Sequence, residues 1–403
     1  MIGSDIMKLS QKAKNINPAV TLALTSKARD MIKEGIDVIN FSSGEPDFET
    51  PDYIKKAGID AIENFSLYSH SDGLKELREA IAKKLHNENN LKYSYNQIIV
   101  SHGAKQALNN AFFAILNEGD EVIIPAPYWA SYPEIVKKCG GKPVFIYTQK
   151  EDLFKVNVNM LKKALTPKTK AIIINSPNNP TGMVYTEEEL KEIANFVVEN
   201  DLFVISDELY EKLIYSNKIK HTSIASLGKE IYDRTIVING FSKCYAMSGW
   251  RIGYTASNKK IATIMANVQN HTTSSVNVIA QRAALEALTS SNPILENILY
   301  EFKKRRDYTA QRISDIPMLS SLRPKGAFYQ FIEVSKLFGY TIDDITINDS
   351  EDIAKILLDK YRVCVVPCNM FGYDKYIRLS YTTSMQNIVE GINRIEQFVK
   401  QNF

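Results

Sequence analysis

The sequence predicts an α/β protein, in which a mostly parallel central sheet is covered by helices and a smaller α+β domain sits beside it. Three observations carry this reading. From about residue 97, short apolar runs alternate with amphipathic stretches, the pattern of repeated β-α units. Several runs, such as Lys170–Ile174, are almost continuously aliphatic, as strands buried on both faces are. The length of 403 residues exceeds what one hydrophobic core usually serves.

In order, Gln97–Val100 reads as a strand and Ala104–Leu116 as a helix. Glu121–Ile124 is a strand, Ser131–Lys138 a helix and Pro143–Tyr147 a strand. After Lys170–Ile174, the run Thr186-Glu-Glu-Glu189 opens a helix as a capping box. Leu202–Ser206 and Thr235–Ile238 are further buried-type strands. After about residue 290 the alternation stops. A long charged helix, Pro293–Ile313, carries Lys303-Lys-Arg-Arg306 and leads into short strands and helices from Gly326-Ala-Phe-Tyr329 to the C-terminus. The expected division is a large domain at 49–295, a small domain at 15–48 plus 296–403, and an N-terminal arm at 1–14.

Charge and composition narrow the function. There are 49 Lys plus Arg against 46 Asp plus Glu, a formal charge of +3, which makes no case for nucleic acid or a membrane surface as partner. No apolar run approaches the roughly 20 residues of a membrane span, and the first residues lack the apolar core of a signal peptide. The four cysteines, Cys139, Cys244, Cys364 and Cys368, form no C-x-x-C pair, so a zinc site has no support and a reducing cytoplasm is expected.

Four motifs could carry chemistry. Ser101-His-Gly-Ala-Lys105 joins a strand to a helix, where free backbone N–H groups and a glycine suit a phosphate. Alone, an ordinary turn explains it as well. Ser176-Pro-Asn-Asn-Pro-Thr-Gly182 follows a strand, and its prolines fix two amides in a stiff loop. Ser206-Asp207-Glu208-Leu209-Tyr210 places a carboxylate at the end of a buried strand, where it asks for a positive group from protein or ligand. Phe241-Ser-Lys243 follows another strand, where desolvation lowers a lysine pKa and makes it nucleophilic. Eight residues on, in Ser248-Gly-Trp-Arg251, an arginine could clamp a phosphate. One ligand wants all four. Pyridoxal 5'-phosphate needs a phosphate cradle, a carboxylate at its ring nitrogen, donors at its O3′ and a lysine at its aldehyde.

At these residues the chain resembles the fold-type I aminotransferases, and closely the prokaryotic aspartate aminotransferases of class I, subgroup Ib. The resemblance runs from about Asn17 to the C-terminal helix. Its further motifs are SGEPDF at 43–48, YWASYPE at 128–134, SGWRIGY at 248–254 and IRLSYTTS at 377–384. It implies Lys243 as the lysine that joins the cofactor and moves the proton, with Asp207 at the ring nitrogen. Asn179 and Tyr210 match the O3′ donors, and Trp129 the ring that stacks on the cofactor. Ala104, Ser242 and Arg251 match phosphate contacts, with Gly103 and Lys105 in the same loop. Tyr68 matches a tyrosine lent to the neighbouring subunit, which implies a homodimer with shared active sites. Gly44 and Arg378 match the holders of the substrate α-carboxylate, and Lys105 that of the distal carboxylate. Thr21 matches a threonine associated with prephenate use in some relatives, implying a possible second activity.

Two positions depart from the family pattern, His102 in the phosphate loop and Cys244 beside the lysine; neither has a named role. The implied activity is reversible amino transfer from L-aspartate to 2-oxoglutarate, with ping-pong kinetics. An alanine or aromatic aminotransferase, or a pyridoxal-dependent lyase, shares these motifs. A non-catalytic cofactor-sensing module would normally carry a DNA-binding unit, and the roughly 15 residues before the resemblance are too few for one.

Overall fold

Period-2 burial of aliphatic runs builds the centre of the protein. In the run Ala171–Ile174, Ala171 and Ile173 join Ile205, Ile236 and Ile238 on one face of a sheet, packed under Ala107, Leu108, Ala111 and Phe112. Ile172 and Ile174 join Val204 on the other face, under Leu190, Ile193 and Val197. Successive strand residues point to opposite faces, so an unbroken aliphatic run feeds two helical layers at once. Each buried Ile, Val, Leu or Phe among them contributes about 1.5–3 kcal/mol on burial.

The computed structural model describes residues 10, 14, 16, 21–216, 219–290 and 294–403. The arm expected over 1–14 therefore lies almost wholly outside the described residues. The strands are β1 (Ile39–Asn40), β2 (Ile98–Ser101), β3 (Glu121–Ala126), β4 (Lys142–Tyr147), β5 (Thr169–Asn175), β6 (Phe203–Asp207), β7 (Thr235–Gly240) and β8 (Gly253–Ala256). Then come β9 (Ser320–Ser321), β10 (Tyr329–Glu333), β11 (Thr341–Ile342), β12 (Ile345–Thr346), β13 (Val363–Cys364), β14 (Val366–Pro367) and β15 (Tyr376–Ser380).

The central sheet has seven strands in the order β2-β8-β7-β6-β5-β3-β4. Strands β3 to β7 pair in parallel. The exception is β8, which the sequence reading did not identify as a strand. It runs antiparallel to both β2 and β7, with Gly253 opposite Ser101 and Gly240. Four residues with glycine at their head give too little alternation to read. The consequence is functional, because the start of β8 lies at the same edge as the carboxyl ends of its neighbours. Arg251 reaches the crevice from the amino end of an antiparallel strand, whereas the other motifs sit at strand carboxyl ends.

The elements that the sequence reading names lie within a residue or two of their expected bounds, while the helices Asp52–Asn64, Lys75–Asn89, Val158–Ala164, Lys259–Asn270 and Val278–Thr289 are not among them. The helix after β5 spans Glu187–Glu199 and has the expected capping box, with Glu189 donating its amide to the Thr186 hydroxyl at 3.3 Å and Thr186 donating its own to the Glu189 carboxylate at 2.8 Å. The long charged helix spans Ile294–Asp315; Pro293 lies outside the described residues. Beyond it, β14-β15-β10-β9 form an antiparallel sheet, and β1 pairs in parallel with β13. Ile388, Ile392, Ile395 and Val399 of the last helix, Met385–Asn402, close this core with Phe41 and Tyr329. No helix among the described residues is long and apolar enough to cross a membrane.

Candidate active site

The cleft forms where β2, β5, β6 and β7 end. Helix Gly103–Ile115 starts two residues after β2, and the amides of Gly103, Ala104 and Lys105 have no acceptor among the described residues. Gly103 has φ +76°, and a Cβ on it would fall 2.6 Å from Arg251 Nη2. On the floor, a Cβ on Gly253 would fall 2.6 Å from the Ala104 nitrogen. Both glycines are required by close approach. Arg251, itself at φ 53°, donates from Nη1 to the Ser248 carbonyl at 2.8 Å. A guanidinium set against a helix N-terminus concentrates positive charge at one point, and a phosphate dianion complements it.

Asp207 ends β6 and is buried. Tyr132 donates its hydroxyl to Oδ2 at 2.6 Å, and the Leu209 amide donates to Oδ1 at 3.3 Å. Burial pushes the carboxyl up to about 6, against the pull of these bonds. The sequence reading asks for a positive group from protein or ligand; within the chain the carboxylate accepts from a phenol and an amide.

Lys243 follows β7 and donates from Nζ to the carbonyl of Gly44. Burial lowers its pKa to about 8; Glu45 opposes the shift, while Arg378 and Arg251 reinforce it. The desolvated lysine expected from the sequence is present.

The rigid loop after β5 divides its two asparagines. The Asn178 side chain accepts from the amide and hydroxyl of Thr181 at 3.1 and 2.8 Å, a local turn. Asn179 Oδ1 instead accepts from Arg378 Nη1 at 3.1 Å, which leaves its amide N–H groups for another acceptor. Arg378, buried on β15, also donates to the Ser42 carbonyl at 3.1 Å and lies over the Tyr329 ring at 4.5 Å. Tyr210 and Tyr329 share a hydrogen bond of 2.7 Å between hydroxyls.

At the mouth, Lys105 Nζ stands 5.0 Å from the centre of the Trp129 ring. Partial desolvation and then Arg251 lower its pKa. Ser242 is buried beside Lys243. His102 shares its Nδ1 with Gln106 Oε1 at 2.9 Å, a local contact. Tyr68 is 94 % exposed and is not packed into the cluster of its own chain. The side chain of Thr21 lies outside the described residues.

Two residues of this site had no role in the sequence reading. Tyr132 stands three residues after Trp129 inside the YWASYPE run, which carries the resemblance without giving this tyrosine a role. Tyr329 lies in a strand whose contact with Tyr210 spans 119 positions, and no local pattern shows it.

Behind Asp207, Glu208 accepts from Ser206 and Ser223 at 2.8 and 2.6 Å and meets His221 Nε2 at 3.0 Å. Glu211 is ion-paired to Lys84 and accepts from Asn89 at 2.6 Å. Burial pushes Glu211 up, but Lys84 and then His221 overrule it and hold the carboxyl at about 2. Glu208, Glu211 and His221 have the donor set of a metal cluster, yet the Lys84 ammonium already supplies the cation there. The network fixes the backbone between Asp207 and Tyr210.

Comparison with known proteins agrees with this geometry. The sequence model of the family "Aminotransferase class I and II" matches residues 36–395. An aspartate aminotransferase of Bacillus sp. (strain YM-2) is 45 % identical over 97 % of this chain and 99 % of its own. A probable aspartate/prephenate aminotransferase of Aquifex aeolicus is 43 % identical over 98 % and 99 %. The solved structure of the aspartate aminotransferase from Thermus thermophilus with maleate superimposes with a TM-score of 0.91 at 38 % identity, covering 97 % of this chain and 99 % of that one. By the full-length match and the shared fold, the chain belongs to the class I and II aminotransferases.

Proposed function

We propose that the protein is a pyridoxal-phosphate-dependent aspartate aminotransferase, moving the amino group of L-aspartate to 2-oxoglutarate to give oxaloacetate and L-glutamate. The observation that carries this is the convergence of a desolvated Lys243, a buried Asp207 and a stacked Arg378 on one crevice, with a further cation, Lys105, at its mouth. The names of the relatives support the substrate.

The residues fit the cofactor. The amides of Gly103, Ala104 and Lys105, the Ser242 hydroxyl and Arg251 would hold its phosphate. Asp207 would take its ring nitrogen, Asn179 and Tyr210 its O3′, and Trp129 its ring face. Pyridoxal phosphate, when bound, supplies an aldehyde that captures an amine and a ring that accepts electrons. With a pKa of about 8, Lys243 Nζ has a usable neutral fraction near neutral pH. It can take a proton from the substrate α-carbon and return one as general base and acid. Asp207, ionised, keeps a proton on the ring nitrogen by charge. Arg378 presents a planar fork to the α-carboxylate common to all amino acids, with Gly44 beside it. It cannot select the side chain, so selection of a dicarboxylate falls to Lys105.

We assign the large domain to 49–295 and the small domain to 15–48 plus 296–403; the pairing of β1 with β13 supports this division. The exposure of Ile59, Ile62, Leu67 and Tyr68 along one stretch supports a homodimer in which Tyr68 reaches the other subunit's phosphate site. A cytoplasmic location is part of the same proposal. Prephenate is proposed as a second substrate on the strength of the relatives named for it.

The test is the Lys105→Ala variant of the loaded enzyme, assayed with aspartate, prephenate as acceptor and an uncharged amino acid. Loss of one charge-assisted contact should cost roughly 1.5–3 kcal/mol, about ten- to a hundredfold in kcat/KM for aspartate. The uncharged substrate should be nearly indifferent. Equal losses would show that Lys105 does not read the side chain, and a wild-type preference for alanine or tyrosine over aspartate would overturn the proposed substrate.

A further inference from the structure

Tyr329 sits at the first position of β10, buried to 1 % exposure, in the sheet that also carries Arg378. Its side chain makes two separate contacts. The ring lies under the Arg378 guanidinium at 4.5 Å. The hydroxyl is 2.7 Å from the Tyr210 hydroxyl and would stand 3.4 Å from a Cβ on Gly44. The phenol thus lies between a group assigned to the cofactor and two groups assigned to the substrate carboxylate. The charged groups facing the tyrosine pair are Arg378, Asp207 and Glu45.

Each phenol has one proton to donate. Neither hydroxyl has another hydrogen-bond partner among the described residues. If Tyr210 donates to Tyr329, its proton is spent inside the pair. If Tyr329 donates, the Tyr210 proton is free for an acceptor in the crevice. Hydrogen bonds in such a chain polarise one another, so a donor behind Tyr210 strengthens what Tyr210 donates in front. Burial holds both phenols in the neutral form, which this chain of donors requires.

We propose that Tyr329 is a positioning residue with two separable roles: its hydroxyl donates to Tyr210 and aims the Tyr210 proton at the cofactor's phenolic oxygen, while its ring holds Arg378 for the substrate carboxylate. The inference rests on the pyridoxal-phosphate reading above. It couples the two halves of the site through one side chain, because the ring belongs to the substrate side and the hydroxyl to the cofactor side.

The experiment compares Tyr329→Phe, Tyr210→Phe, the double variant and Tyr329→Leu, each loaded with pyridoxal phosphate. The readouts are the pH midpoint of the visible absorbance band and KM for aspartate. Losing one neutral hydrogen bond behind Tyr210 should move the midpoint up by roughly 0.5–1 pH unit in Tyr329→Phe. Tyr210→Phe should move it further, and the double variant should match Tyr210→Phe alone, since Tyr329 acts through Tyr210. KM should stay within about twofold in Tyr329→Phe, where the ring remains, and rise in Tyr329→Leu, where it does not. An unmoved midpoint in Tyr329→Phe, or additive shifts in the double variant, would overturn the hydroxyl's role. Equal KM in the Phe and Leu variants would overturn the ring's role. A wild-type protein with no visible band would instead defeat the cofactor reading itself, which keeps the two failures distinct.

Discussion

Replacing Asp207 with asparagine should make the cofactor-free protein more stable and the loaded enzyme far less active. The folded carboxyl titrates at about 6 against a reference of 3.8, because burial outweighs the bonds from Tyr132 and Leu209. The sign follows from linkage. A folded pKa above the unfolded one means the unfolded chain ionises first, so stability falls as pH rises from about 4 to about 6 and stays lower above that. The difference of about two units amounts to roughly 3 kcal/mol at pH 8 and about 1 kcal/mol at pH 4.5. Asparagine keeps one oxygen for the Leu209 amide, its NH2 can donate to the Tyr132 hydroxyl once that hydroxyl turns to accept, and it carries no charge, so it removes this penalty. In a chain of this length each kcal/mol moves Tm by about 1 °C. Thermal melts of the cofactor-free variant should therefore exceed the wild type by about 3 °C at pH 8 and about 1 °C at pH 4.5. A gap equal at both pH values, or a less stable variant at pH 8, would refute the reasoning. In the loaded enzyme the order reverses, because an amide cannot hold a proton on the ring nitrogen by charge, and turnover should fall on the order of a hundredfold or more.

Lys84→Met should strand the buried Glu211 carboxylate and cost roughly 3–5 kcal/mol, read as a large fall in Tm. Glu211 titrates low in the fold, so that loss should be full above about pH 4.5 and shrink as pH falls toward 2. Subunits carrying both Tyr68→Phe and Lys243→Ala, mixed with wild type, should form dimers whose one competent site has weakened phosphate affinity, measured by cofactor release on dilution. A fully active monomer in sedimentation would contradict the shared site.

The fold was legible wherever hydrophobic period and capping agree. The run Ala171–Ile174 serves two helical layers, and its continuous aliphatic character announces a strand buried on both faces. Thr186 and Glu189 mark a helix start by reciprocal bonds that need only three residues of separation. β8 was not legible, because Gly253 is required by the approach of the Ala104 nitrogen and not by strand propensity. Its direction could not be read from spacing either, and direction decides where Arg251 points.

The site divides along the same line. Asp207, Lys243, Asn179 and the Gly103-Ala104 turn each sit in a short contiguous motif, since each is placed by the end of one strand. Tyr132 and Tyr329 belong to the site through contacts made by other elements: a phenol 75 positions before its carboxylate, and a phenol 119 positions after the hydroxyl it meets. A motif reports the group that touches the ligand, because that group's chemistry restricts the residue type. The groups that orient it are restricted by where two elements meet, so that even Tyr132, inside the YWASYPE run, shows its role only in packing. Asp207 shows why they matter: burial raises its pKa, and the orientation of its carboxylate in the crevice comes from the Tyr132 hydroxyl 2.6 Å away.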